Sequence, residues 1–246
     1  MLLYVVSVVC NVALWQTVFW SLAPKVNLWI FPSYKSLEKK LKLEMNRNVS
    51  STTCSIILSV LSWYVFLLRP DVSPKHVETD QPVVRFTVSI FLGHTISEIL
   101  AMAYQGTLLE EKAMLCHHVS SLFSGYVGVR GKGFSYFVVM FLMSELSTPF
   151  VSLRESLYFT GKVKSKAYTI NGYAMVVTFF LGRIAIIPYY WYHMYPHVVS
   201  GKVFQVGWDA AVTAIFLWTV LNILNIYWFY KMLRGALKHL ISNKKN

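Results

Sequence analysis

Residues able to do chemistry stand where a lipid-facing chain should carry none. In CHHVSSLFSGY, residues 116–126, His117 and His118 are adjacent, and no Asp, Glu, Lys or Arg occurs between Lys112 and Arg130. On a helix adjacent residues diverge by about 100°, so the two rings cannot address one atom in the same way. His117 shares a face with Ser121, and His118 with Ser121 and Gly125. Upstream, His94 and Glu98 are four apart and stack on one face. In MSELSTPFVSLRES, Glu145, Thr148 and Ser152 fall at i, i+3 and i+7, and Pro149 lies four residues after Glu145. Proline cannot donate to the Glu145 carbonyl and crowds it, which predicts a kink with an open carbonyl beside a carboxylate. Arg154 follows near a helix end, where it can snorkel. Arg183, in VVTFFLGRIAIIPYY, lies deeper and needs a partner, for which Glu98 and Glu145 are available. Asn222 and Asn225 are three apart on one face of the last apolar stretch.

Imidazole can serve as general base, acyl-accepting nucleophile or metal ligand. Metal binding is not expected. The chain has seven histidines, and the pair in HMYPH, His193 and His197, is separated by a proline that argues against a helical metal clamp. Neither a Gly-x-Ser-x-Gly elbow nor a phosphate-binding glycine-rich loop occurs. Acyl transfer and lipid binding are the chemistries that fit. The alternative for Ser121, Thr148, Asn222 and Asn225 is hydrogen bonding between helices; for Arg183 it is a structural ion pair.

These side chains must be carried by membrane helices. Of 246 residues 55% are apolar and 14% charged, a membrane composition. Seven stretches approach the roughly 20 apolar residues needed per span: near 2–23, 49–68, 83–105, 113–130, 133–152, 168–192 and 206–230. The fourth and fifth are interrupted by polar residues. The first lacks a basic start and is long for a signal core, so it reads as a retained helix. The predicted fold is all-α, a multi-pass bundle of six or seven transmembrane helices. Residues 1–45 form the first helix and a basic loop, 46–235 the main membrane domain, and 236–246 a basic tail.

The net charge of +12 follows the membrane and does not point to nucleic acid. With the N-terminus outside, fifteen Lys and Arg fall in cytosolic segments and six on the other side, the usual orientation signal. The C-terminus is then cytosolic, and Asn48-Val49-Ser50, a glycosylation sequon, stays unmodified. Cys10, Cys54 and Cys116 give no disulfide or zinc spacing and read as small buried hydrophobes.

Gly93-His94-x-x-x-Glu98, His117-His118, Glu145-Leu146-Ser147-Thr148-Pro149-Phe150-x-x-x-Arg154 and Phe180-x-x-Arg183, each on its own helix, resemble the TLC domain family (translocating-chain-associating, longevity-assurance and ceroid lipofuscinosis homology) over residues 46–235. The likeness is to small TLC domain-containing proteins rather than to ceramide synthases. It implies a lipid-accepting cavity and endoplasmic reticulum membranes. In ceramide synthases the doubled histidine serves acyl transfer from acyl-coenzyme A, which implies catalytic roles for His117 and His118, with Glu145 orienting one of them. Their His-Asp-x-x-Asp signature aligns here with Ser144, Glu145 and Thr148, so one carboxylate survives. Cys54 stands where the second span often has histidine. The expected function is therefore lipid binding or regulation, with membrane lipids or fatty acyl chains as partners. No cofactor is expected, and acyl-coenzyme A would be a co-substrate only if the protein is an enzyme. His94, Glu98, Ser121, Thr148, Arg154, Arg183, Asn222 and Asn225 are expected to line the cavity. The alternatives are a lipid acyltransferase and a cargo receptor of the early secretory pathway. Lys244-Lys245 hints at a dilysine retrieval signal for the latter, but Ser242 and Asn243 occupy positions such a signal needs.

Overall fold

The computed structural model describes residues 1–131 and 133–243, the last six by their backbone only. Among them are seven long helices and no strand: α1 Leu2–Ile30, α2 Lys39–Leu68, α3 Pro82–Gln105, α4 Lys112–Arg130, α5 Ser135–Phe159, α6 Lys166–Val199 and α7 Trp208–Leu237, the last continuing to Asn243. All but α4 are long and apolar enough to cross a membrane. The protein is an integral, multi-pass membrane protein. At 19 residues α4 is about 28 Å long, close to the hydrocarbon thickness. It turns Val119, Phe123 and Tyr126 outward and His118, Ser120, Ser121 and Gly125 inward, so its polar content is hidden by neighbours.

Short connections force consecutive helices to run antiparallel. Cross-contacts bear out the two ends that result. At one end the Phe134 N–H donates to the Val77 carbonyl, and a ring nitrogen of His197 lies 2.7 Å from the Pro74 carbonyl oxygen. At the other, Lys40 pairs with Glu110 at 3.1 Å and Lys162 lies over the Phe31 ring. The N-terminus therefore lies at the first end and α7 finishes at the second. Boundaries follow local rules. Pro82 occupies the first turn of α3, where its missing N–H costs nothing. Gly106 ends that helix at φ +76°, a conformation that penalises a Cβ.

The α1–α3 seam shows how helices associate where apolar side chains gain nothing by leaving lipid: small residues permit close approach and polar groups bond across. Ser89, Gly93 and Ser97 recur every fourth residue on α3 and meet Ser7, Asn11 and Gln16 of α1. The Ser7 and Ser89 hydroxyls are 2.7 Å apart, and the Gln16 amide donates to Ser97. A Cβ on Gly93 would stand 2.5 Å from the Asn11 Cβ, so only glycine fits.

Two expectations about the backbone change. The second span begins at Lys39, about ten residues before its apolar stretch, which carries Asn46, Arg47 and Asn48 into the bundle as buried residues. Around Pro149 the helix tightens into a 3-10 turn at Ser144–Ser147. The Glu145 carbonyl is not left open, since the Thr148 N–H donates to it; the carbonyl used by another helix is that of Ser144. Of the cysteines only Cys54 is buried; Cys10 and Cys116 face outward.

Candidate functional site: an intramembrane polar cavity

Six helices, all except α1, enclose a cavity of about 280 Å³. Along α2 its wall runs from Glu44 to Leu58, about 21 Å at the helical rise. Glu44, Glu111 and Glu155 stand toward the end of the bundle where α2 begins, and Leu58, Phe91 and Cys54 form the deep floor. A cavity able to hold one water needs only about 10–15 Å³, so this one accommodates a group of several heavy atoms.

Most of the expected residues meet here: His94, Glu98, His117, His118, Ser121, Glu145, Thr148 and Arg183 all line this space. His117 and His118 do diverge, with ring planes at 68° and centroids 5.6 Å apart, yet both reach the one cavity because it wraps around α4. His117 also packs edge-on against Trp228 of α7, and His94 against Trp15 of α1. Nδ1 of His117, Nε2 of His118, Nε2 of His94 and Oγ of Ser121 are buried without a protein hydrogen-bond partner. Such orphans are uncommon in folded proteins, and all four belong to residues that line the cavity.

Among the described residues Arg183 finds no carboxylate within 4 Å. Its Nε donates to the Ser144 carbonyl at 3.1 Å and to the Ser147 hydroxyl at 2.9 Å; Nη1 donates to Asn225 Oδ1 at 3.3 Å and Nη2 to Thr148 Oγ1 at 3.1 Å. Thr148 in turn donates to Glu145 at 2.8 Å. The expected pair is thus a relay through a hydroxyl, and one guanidinium ties α5, α6 and α7 together. Glu98 belongs instead to Arg47, whose Nε is 3.1 Å away, while Arg47 Nη1 holds Glu44 at 2.9 Å. His94 Nε2 stands 3.7 Å from Glu98, beyond hydrogen-bond reach.

Four expected residues take other places or partners. Glu145 is hydrogen-bonded to Thr148 and to neither His117 nor His118, so it does not orient an imidazole. Asn222 and Asn225 line a separate small gap beside Arg183, where Asn225 serves as an acceptor for that guanidinium. Arg154 lies outside the cavity, in a groove between α5, α6 and α7. Arg47 and Glu44, which precede the second apolar stretch, are the cavity residues that hydropathy does not single out. The signal that could have found them is the run from Lys39 to Leu68 without Gly or Pro, which lets the helix start early and buries the Glu44-Arg47 pair at i, i+3.

A sequence profile of the TLC domain matches residues 44–234. The chain belongs to the TLC domain family. Its relatives include TLC domain-containing protein 4-A of Xenopus laevis, 31% identical over 225 residues that cover 91% of this chain and 87% of that one. Another is TLC domain-containing protein 4 of Homo sapiens, 28% identical over 244 residues that cover 95% and 89%. The Danio rerio protein 4-B is 31% identical over 227 residues, covering 91% and 85%. No solved structure matches. Within this TLC domain the motif residues of four helices face one another around a common space, with the exceptions just given.

Proposed function

We propose that this protein binds or regulates membrane lipids by accepting a lipid headgroup or acyl end into the polar cavity. The observation that carries the reading is a space of about 280 Å³ inside the bundle lined by three histidines and Ser121, each with a ring nitrogen or hydroxyl that has no partner among the described residues. Buried polar atoms left unpaired destabilise a fold by about 1–3 kcal/mol each, so a bound polar group would stabilise it. Endoplasmic reticulum membranes are the proposed setting, as the family resemblance implies, with the α7 end in the cytosol on the excess of Lys and Arg in the segments at that end.

The acyltransferase reading rests on the free histidine nitrogens. Two features weigh against it. Among the described residues no carboxylate hydrogen-bonds either His117 or His118 to fix its tautomer, as histidine–acid pairs require. The cavity lining also carries five carboxylates, Glu44, Glu98, Glu111, Glu145 and Glu155, against two guanidiniums, Arg47 and Arg183, a field that repels a polyanionic thioester. A lipid whose headgroup bears an ammonium fits that field better.

The test is to purify the protein in mild detergent and identify the lipids that remain bound, beside His117→Ala and His118→Ala. Loss of a specific lipid in the variants, without acyl transfer when acyl-coenzyme A is added, supports binding. Histidine-dependent turnover establishes the enzyme, and an identical lipid complement in all three proteins overturns both readings.

A further inference from the structure

Arg154 sits where a cation would need an anion, and the described residues supply none. A guanidinium has five N–H donors. That of Arg154 makes one hydrogen bond, to the Tyr168 carbonyl at 3.4 Å. Among the described residues no carboxylate approaches within 4 Å of it, whereas Arg47, Arg69, Arg85 and Arg130 are each ion-paired and Arg183 makes four hydrogen bonds. Arg154 is nevertheless held in place. Its guanidinium lies 4.1 Å over the Tyr168 ring, and a side chain at Gly172 would begin 2.4 Å from Nη1, so the glycine is what lets the cation rest against α6. Stacking uses the flat face of a guanidinium and leaves its N–H edge for a planar pair of acceptor oxygens.

We propose that the groove around Arg154 is a binding site for the phosphate of an anionic phospholipid, separate from the polar cavity. The groove has the polarity of such a molecule: Arg154 and Thr169 at one end, then Met175, Val176 and Met232 along the α6–α7 seam. Arg154 lies five residues before the end of α5, about 7.5 Å along the axis, within a long side chain's reach of the headgroups. Lys166, Lys231 and Arg234, all exposed, flank the groove-lining segments of α6 and α7 and add attraction for anionic lipid on that surface. The site stands independently of what the cavity binds.

Full-length protein in mild detergent is titrated with dioleoylphosphatidylglycerol and the bound lipid counted by native mass spectrometry. Arg154→Gln removes the charge; Gly172→Leu keeps it but drives it out of the groove. Each should weaken the tightest lipid-binding event by about 10- to 100-fold, the usual worth of charge-assisted hydrogen bonds. Arg154→Lys should lose less, and His118→Ala should leave the event unchanged. Having two variants that act by different means keeps the test valid if one fails to fold. Retention equal to wild type in a folded variant overturns the proposal. Loss in His118→Ala also does so, by placing the lipid in the cavity, as does displacement by equimolar inorganic phosphate, which makes this a free-phosphate site.

Discussion

Replacing Arg47 by methionine removes the one cation between two carboxylates on the cavity wall. Arg47 and Glu98 are 3.1 Å apart with side chains about 10% and 7% exposed, and Glu44 approaches the same guanidinium at 2.9 Å. At an effective dielectric of about 20, the attraction at that separation is about 5 kcal/mol. Desolvation of the charges offsets much of it, and breaking a buried pair by deleting one partner costs about 3–5 kcal/mol because the other charge is left alone. Arg47→Met strands two carboxylates. Glu98→Gln strands none, since Glu44 still pairs with Arg47, so its cost is set by a weakened hydrogen bond, about 1–3 kcal/mol. For a chain of this size the arginine variant should lower the Tm by roughly 6–20 °C. Adding Glu98→Gln to Arg47→Met removes one stranded charge and should recover part of that loss, a coupling that a double-mutant cycle reads directly. Thermal unfolding in detergent at neutral pH is the assay. An Arg47→Met protein as stable as wild type, or a double variant no more stable than Arg47→Met, would refute the reasoning that this wall is held by a desolvated ion network.

Gly93→Leu should push α1 off α3 at about 1–3 kcal/mol, the usual cost of overpacking; a Ser7→Cys/Ser89→Cys pair, whose native hydroxyls are 2.7 Å apart, should oxidise to a disulfide with Gly93 present and fail to do so in the leucine background. Burial pushes the Tyr34 phenol above its ordinary 10.0, and its O–H donates to Asn46 Oδ1 at 2.9 Å. With the folded value raised, its contribution is intact below the unfolded value and lost as pH climbs through the folded one, so stability should fall faster above pH 10 in wild type than in Tyr34→Phe. Asn48 is buried in α2 and donates to the Ser156 hydroxyl at 3.3 Å, so glycosidase treatment should produce no mass shift despite the sequon, and Asn48→Ala should cost about 1 kcal/mol.

The sequence by itself determined the solvent this chain lives in and its all-helical, multi-pass build of six or seven spans. Apolar runs of span length with short breaks leave the backbone no way to satisfy its hydrogen bonds in lipid other than helix after helix. It also singled out His94, Glu98, His117, His118, Glu145 and Arg183, because polar groups at that depth are costly unless they face an interior. Lys244 and Lys245 of the basic tail lie outside the described residues, as does Lys132.

Pairing was a different matter. Charge alone offered Arg183 two carboxylates, but partners are set by the rotation and axial shift of one helix against another, which packing decides and hydropathy does not record. The structure gives Glu98 to Arg47, lets Thr148 stand between Arg183 and Glu145, and moves Arg154 into its own groove. Hydropathy also began α2 at its first apolar residue, whereas the helix begins at Lys39 because the bundle, not the lipid, covers Arg47 and Asn48. Residues that can do chemistry are legible one at a time, since each announces itself against an apolar background. Which of them share a chamber is a property of the assembled helices, fixed only when small residues such as Gly93 set how closely those helices approach.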